Sequence, residues 1–545
     1  MATGIWKMRQ LPTRHELHFG DRVMRCFTQR PASIAEMLLA ALARNPAGEA
    51  LVVGDERLTW RDLHERVMRC AAGLAQLGVE KGDRVALLVG NGSEFVIANL
   101  AVPALGAIIV PMSTREQMPG LTYIVNHCTP KVLILGAEFA DRVPAAADIP
   151  SVKHRVAIPA MAGCLAFKEL MAAPPLPTPA TVSEDDAAAI LYTSGTTGRP
   201  KGAVLTHLGI VHSALHYEAG FALGPDDRCA AVVPLTHVTG LAAIVMPMVR
   251  CAGTLVVESA FKAKDFLTLA ERERITYTLM VPAMYNLCLL QPQLKNHDLS
   301  KWRVGAYGGA PMPQATIDAL AHALPNVVLM NIYGATETTS PVTMVPPGET
   351  GRRGESVGPP LPCADILVMG DDGREAPCGE SGELWTAGPM IAKEYWNDPQ
   401  ATAQGITGGY WHTGDIGRID AEGYIHVSDR MKDMLNRGGL KIYSVEVENV
   451  LQQYPGVVEA AVVGKPCPVL GERVHAFVYT GGAAVDEGKV RELCTQRLSD
   501  YKVPESFTFA SEPLPRNPNG KILKRALREQ LIAQMEAAGA AGSSR

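Results

Sequence analysis

Short apolar runs alternating with stretches at helical spacing constrain this chain more than any other feature. "RVALLVG" precedes "SEFVIANLAVPALGAIIVPM", and "LTYIVNHC" precedes "KVLILG". The pattern resumes with "AAAILYTS", "RCAAVVPL", "GTLVVE" and "YTLMVP". Runs this short and this apolar suit strands covered on both faces, so the alternation requires a mostly parallel sheet with covering helices. "LVVGDERLTW" predicts a hairpin about Gly54 and Asp55, and "RDLHERVMRCAAGLAQLG" predicts a helix that stops at Gly78. From about residue 364, "ADILVMG", "GELWTAG" and "GYIHVSD" read as short strands of a β-rich lobe. Near Asp429 the pattern changes again, to a compact α+β domain. The expected fold class is α/β: a large N-terminal domain over 1–428, with two α/β sheet subdomains and the β-rich lobe, then a small α+β C-terminal domain.

Composition narrows the partners. A net charge of -5, from 51 basic and 56 acidic residues, gives no field to hold a nucleic acid, while a local anion site stays open. Eleven scattered cysteines without a CxxC pair read as reduced core thiols of a cytoplasmic-type compartment, with little support for zinc. The first 30 residues carry charges throughout and do not read as a secretory signal. Cys229 to Val249 spans 21 positions without a formal charge, long enough for a bilayer. Pro234, Gly240 and Pro247 inside it, and Asp226 and Asp227 before it, favour a buried strand, a turn and a buried helix. The expectation is no integral membrane segment, in a monomer or homodimer.

"LYTSGTTGRPKG", Leu191 to Gly202, follows an apolar strand. Gly195 and Gly198 let the backbone turn tightly and free N–H groups for an anion. Thr193, Ser194, Thr196 and Thr197 add hydroxyls, and Lys201 adds a charge. It is not a Walker A loop, because Pro200 and Lys201 stand where that pattern needs Gly-Lys. Two readings compete: a surface turn with one solvated lysine, or a grip for polyphosphate. His237 in "PLTHVTG" is likewise either a core histidine or a site residue, and "GAYGGAPM" is either an ordinary turn after a strand or a place of close ligand approach.

The 191–202 segment resembles the signature loop of the adenylate-forming superfamily, which includes acyl-CoA synthetases, aryl-CoA ligases, beetle luciferases and peptide-synthetase adenylation domains. Further segments match in family order: "PLTHVTG", "GAYGGAPM", "NIYGATETT", "YWHTGD", "DRMKDMLNRGGLKI" and "PLPRNPNGKILKRALRE". The resemblance implies that Thr193, Ser194, Gly195, Thr196, Thr197, Gly198 and Lys201 close over the ATP phosphates. It puts Gly309, Ala310, Pro311, Asn331, Tyr333 and Gly334 beside the adenine. Thr336 and Glu337 serve the α-phosphate, and Glu337 with Thr196 serves Mg2+, for which oxygen ligands suit. His237, Val238, Tyr307, Gly308, Ile332 and Ala335 become candidates for the acyl pocket. Many relatives have Gly where this chain has Ile332, so a shortened or reshaped pocket is expected.

Asp415 and Arg430 match the residues that reach the ribose, a diol-to-carboxylate pairing. Lys432 matches the hinge residue, which makes 429–432 a hinge and 433–545 a mobile domain. Gly438, Gly439 and Lys441 fall near the pantetheine arm of coenzyme A. Ser444 stands where relatives often have Pro, a departure with no expected chemical effect. Lys521 matches the lysine of the adenylation half-reaction. The implied protein is a cytoplasmic ATP-dependent acyl-CoA ligase using ATP, Mg2+ and coenzyme A. The implied substrate is a short- or medium-chain aliphatic acid or an aromatic acid. Delivery of an amino or aryl acid to a carrier protein is the alternative.

Overall fold

The computed structural model describes residues 11–193, 200–438, 440–516 and 522–542. The chain forms two compact units. The first holds Met1–Leu367, Trp385–His412 and Gly423–Ile425, and the second holds Val368–Leu384, Thr413–Glu422 and His426–Arg545.

In the first unit the apolar runs form two large sheets. One runs, in spatial order, Lys201–Thr206, Ala187–Thr193, Ile108–Pro111, Arg84–Leu88, Val132–Gly136, His154–Ile158 and Leu165–Ala166. Its strands are parallel except Lys201–Thr206, which folds back antiparallel on Ala187–Thr193. The other runs Thr343–Met344, Val328–Tyr333, Val304–Gly308, Tyr277–Met280, Arg228–Ala231, Thr254–Val257, Glu49–Val53 and Glu56–Thr59. It is parallel except at its two edges. The hairpin turns at Gly54, as expected.

Helices Trp60–Gln76, Ser93–Ala104 and His207–Phe221 share one apolar cluster with inward faces of both sheets. Their sequences explain this placement. Trp60–Gln76 starts at a capping box of Thr59 and Asp62 and stops before Gly78, which takes a left-handed φ of 78°. Every residue of His207–Phe221 is buried, and every residue of Ser93–Ala104 except the half-buried Glu94 in its first turn, which a helix apolar nearly all round requires. Helices Ala263–Arg272, Pro282–Leu289 and Gln314–Ala323 cover the far face of the second sheet. Met118–Cys128 packs on the far face of the first.

The uncharged stretch from Cys229 folds as strand Arg228–Ala231, a turn, a π-helix over Thr239–Val245 and an α-helix over Met246–Cys251. The π register was not expected. Pro247 has no N–H to give to Ala243, and the Ala243 carbonyl instead accepts the Tyr277 hydroxyl at 2.8 Å. Among the described residues no helix is long and apolar enough to cross a membrane.

An opening hairpin, Thr13–His18 with Arg22–Phe27, was not anticipated because its alternation is mostly charged. Glu16, His18 and Cys26 lie close enough to share a metal ion. Arg30 already pairs with Glu16, donating to it at 2.7 Å and to Glu184 at 2.6 Å, and its charge opposes a second cation.

The edge strand Lys201–Thr206 is sealed by residues 393–396. Val204 N–H donates to the Glu394 carbonyl (2.9 Å), Lys393 N–H to Val204 (3.0 Å) and Trp396 N–H to Gly202 (2.7 Å). The strands of the β-rich lobe are Asp365–Met369, Gly382–Ala387, Ile406–Thr407, Tyr410–Ile419 and Ile425–Arg430. The second unit also has a five-stranded sheet of Leu435–Arg437, Leu440–Ile442, Glu459–Cys467, Gly471–Tyr479 and Ser506–Ala510. Helices Ser444–Leu451, Glu487–Arg497 and Lys524–Gly542 accompany it, which is the expected α+β arrangement.

Candidate active site

Parallel strands of the second large sheet end together, and ligands of open α/β sheets bind beyond such carboxyl ends. Val328–Tyr333, Val304–Gly308, Tyr277–Met280 and Arg228–Ala231 are successive neighbours. Tyr333 ends the first of these, with Gly334 and Ala335 after it, Gly309 to Pro311 follow the second, and His237 comes after the last. Gly309, Ala310 and Pro311 are exposed there.

Thr193 and Lys201 face each other across the antiparallel pair, at the base of the glycine-rich loop. Ser194, Gly195, Thr196, Thr197 and Gly198 lie outside the described residues, as do Gly439 and Lys521. Glu337 reaches the base of that loop. Its Oε1 lies 3.3 Å from Thr193 Oγ1 and accepts the Tyr395 hydroxyl at 3.1 Å. Trp411 Nε1 donates to the same tyrosine oxygen at 3.2 Å, and Lys201 Nζ sits 5.1 Å from the Tyr395 ring centre. Burial, then the Glu337 charge, pushes the Tyr395 hydroxyl well above its ordinary pKa, so it stays a donor.

The turn carrying Thr336 and Glu337 is strained and braced. Thr339 and Ser340 take φ of 48° and 93°, which non-glycine residues seldom adopt. Ser213 Oγ donates to the Thr339 carbonyl, Tyr217 and Ser340 share a 2.8 Å hydrogen bond, and Thr339 Oγ1 donates to Met390 O at 2.6 Å. Gly334 is obligatory, because a Cβ there would lie 1.4 Å from Ser340 O. Strain of this kind collects where function over-determines the backbone.

The acyl-pocket candidates do not share one wall. Ile332 is buried with the cluster between the sheets, whereas the Tyr307 ring points into the cluster on the far side of the second sheet. A one-residue step along neighbouring strands reverses the face, which separates these two side chains. Val238 is also core. Gly308 has a packing reason, since a Cβ would lie 2.5 Å from Ile332 O. Asn331 is buried and donates to Ser356 O at 3.0 Å. Ala335 and Thr336 are half-buried. His237 is half-buried, its Nδ1 accepting the Thr239 N–H at 3.3 Å.

In the second unit Arg430 Nε pairs with Asp415 Oδ1 at 2.6 Å. Gly414, at φ 66°, turns the chain so that its carbonyl accepts the Met431 N–H at 2.8 Å, which brings the two segments together. Lys432 is exposed. Gly438 takes φ 60° and donates to Leu470 O at 2.7 Å, and Lys441 pairs with Asp371 at 3.0 Å. Tyr395 and Trp411 are the functional candidates that sequence reasoning missed. Tyr395 itself is neither charged nor nucleophilic within "EYWND", and proximity to Glu337 is what marks it.

The AMP-binding enzyme family matches residues 38–396, and the AMP-binding enzyme C-terminal domain matches 446–521. The chain is 37% identical over 483 residues to a long-chain-fatty-acid–CoA ligase of Mycobacterium tuberculosis, across 88% of this chain and 94% of that protein. It is 36% identical over 488 residues to a feruloyl-CoA synthase of an Amycolatopsis species, across 89% and 96%. The solved structure of an anthranilate CoA ligase in complex with anthranoyl-AMP superposes with a TM-score of 0.86 at 27% identity, across 92% of this chain and 98% of that one. The chain belongs to the AMP-binding, adenylate-forming enzyme family.

Proposed function

We propose that the protein is an AMP-forming carboxylate–CoA ligase. The observation that carries this reading is the convergence of Glu337, Thr193 and Lys201 at the mouth of the glycine-rich loop. In the first step a substrate carboxylate oxygen bonds to the α-phosphorus of ATP, and the bond to the bridging oxygen of pyrophosphate breaks. The carboxylate is ionised at neutral pH, so no general base is required. Positioning and charge neutralisation do the work.

Lys521 and Thr336 address the α-phosphate, and Lys201 with the 193–198 hydroxyls and N–H groups holds the leaving pyrophosphate. His237, whose Nδ1 accepts the Thr239 N–H, serves the substrate carboxylate. The glycines Gly309 and Gly334, with Tyr333, form the adenine wall, and the Asp415–Arg430 pair serves the ribose. The donors at Glu337 and Thr193 are oxygen atoms, a set that fits Mg2+, which supplies charge neutralisation on the phosphates when bound.

In the second step the thiol sulfur of coenzyme A bonds to the acyl carbon, AMP leaves and the thiol proton is released. One site cannot hold Lys521 and admit the pantetheine arm together, so 433–545 swings about 429–432. Lys432→Pro should then slow thioester formation more than ATP–pyrophosphate exchange, and equal loss in both assays would sink the hinge. The bulk of Ile332 within the core cluster supports a short or medium aliphatic acid, or an aromatic one, over a long chain. The test is pyrophosphate release over hexanoate, dodecanoate, benzoate and ferulate, with and without coenzyme A. Release together with an acyl-CoA product supports the reading. Release with no thioester would redirect it to another acceptor, and no release from any acid would overturn it.

A further inference from the structure

Ser444 stands where relatives often carry proline, and its surroundings give it a part that the sequence did not. Its hydroxyl donates to Asp429 Oδ2 at 2.5 Å and accepts the Lys524 ammonium at 2.5 Å. Its backbone N–H donates to the same Asp429 oxygen. Lys524 also pairs with Glu448 Oε1 at 2.7 Å, and that oxygen accepts the Val462 N–H at 2.7 Å. Ser444 is 0% exposed and Asp429 4%. Proline would offer neither the hydroxyl nor the N–H.

The two ends of this chain of bonds matter. At one end Lys524 opens helix Lys524–Gly542, three positions after Lys521. The base of the segment 517–521 is closed by the Arg516–Ile522 bridge and by Leu523 N–H donating to Pro515 O at 2.8 Å. At the other end Asp429 Oδ1 accepts the Arg430 N–H at 2.8 Å, and Arg430 holds Asp415. Burial pushes the Glu448 carboxyl up to about 7, while the nearby carboxylates hold the Lys524 ammonium above its ordinary range. Such a group is costly to bury unless every polar atom is matched, so the bonds fix geometry as well as charge.

We propose that Ser444 and Lys524 are positioning residues for adenylation, a buried strut that fixes the base of segment 517–521 to the turn at 429–432. The proposal rests on the reading that Lys521 serves the adenylation step. Loss of the strut lets that segment drift, and a displacement of about 1 Å is enough to cost up to ~100-fold in rate.

The experiment uses the full chain and four variants: Ser444→Ala, Ser444→Thr, the double change Lys524→Met with Glu448→Met, and Lys521→Ala. The double change removes both charges of the Lys524–Glu448 pair together and leaves Asp429 the Ser444 hydroxyl and N–H as donors, and the melting temperature reports whether it folds. Three quantities are measured: melting temperature, ATP–pyrophosphate exchange, and thioester formation from chemically supplied acyl-AMP. The acid is the member of the four-acid panel that turns over fastest.

Ser444→Ala and the double variant should lower the kcat of exchange by about 10-fold. Both should leave the KM for ATP and the thioester step within about twofold of the parent. Ser444→Thr, which keeps a hydroxyl, should restore exchange. Retention of exchange in both strut variants, or equal loss in both half-reactions, would overturn the proposal and leave the network a folding element. Should Lys521→Ala itself retain exchange, the underlying reading fails first and the strut with it.

Discussion

The turn that ends on Lys201 and the turn that ends on Lys521 are anchored by opposite means. The first sits between paired strands, and its supports are hydroxyls and rings: Thr193, Tyr395 and Trp411 around a single carboxylate, Glu337. The second is flanked by ion pairs. Arg516 meets Glu459 at 2.6 Å, and Lys524 meets Glu448 at 2.7 Å. Neutral donors leave the Lys201 charge available to an incoming polyanion, because among the described residues it is the face of an aromatic ring that meets it. The ion pairs of Arg516 and Lys524, on either side of the 517–521 segment in sequence, do the reverse and match positive charge locally. The contrast suggests a fixed grip for the leaving group in one turn and an aimed charge in the other.

The largest effect should come from removing each lysine separately. Lys521→Ala should lower ATP–pyrophosphate exchange by at least about 100-fold and leave thioester formation from supplied acyl-AMP intact. Lys201→Ala should act mainly through the KM for ATP. If the two variants give the same kinetic signature, the division between grip and aimed charge fails. Next comes Tyr395→Phe, which keeps the ring under Lys201 and removes only the hydroxyl donated to Glu337. Losing a hydrogen bond to a charged group should cost exchange about 10-fold, and an unchanged rate would remove Tyr395 from the site.

Ile332→Ala is a control on both turns. It should cost about 2–4 kcal/mol of stability from the lost core packing. It should also move the preferred acid toward longer chains, with the ratio of the two half-reactions unchanged, as read by melting and by the acid panel. A changed ratio would mean that Ile332 supports the catalytic turn itself.

The smallest effect is on acid stability. Helix His207–Phe221, whose Ser213 and Tyr217 brace the Glu337 turn, buries His207 and His212 as neutral rings, with pKa values lowered to about 4 and about 3. The unfolded chain titrates them near 6.5. Below that pH the unfolded state binds protons that the folded state refuses, so stability is constant above the unfolded value and falls as pH drops toward 4. Each such histidine should contribute about 1.4 kcal/mol per pH unit in that window. Melts at pH 7.5 and 5.5 should differ accordingly, and His212→Asn should shrink the difference.

Much of this was legible in the sequence, and the failures have physical causes. Both large sheets follow from short apolar runs, because burial on two faces leaves no polar alternation to misread. The glycine-rich loop, Glu337 and the Asp415–Arg430 pair announce themselves by residue type. Tyr395 does not, since its meaning lies in a hydroxyl that meets Glu337 across 58 positions of chain. The π turn at Thr239–Val245 escaped because a one-residue change of register leaves the apolar pattern almost intact. Ser444 was dismissed as a harmless departure, and its partners Asp429 and Lys524 come from elements 15 and 80 positions away. The opposite placement of Tyr307 and Ile332 depended on strand register, which no count of apolar residues supplies.

The seal on strand Lys201–Thr206 carries a consequence for the chain as it is made. The residues that close this edge, 393–396, leave the ribosome about 190 positions after the strand, a delay of about 10–40 s at ordinary elongation rates. Throughout that interval the strand beside the ATP loop exposes a row of unsatisfied backbone groups to any neighbour able to pair with it. A nascent chain arrested before residue 393 should therefore be the form most in need of a chaperone.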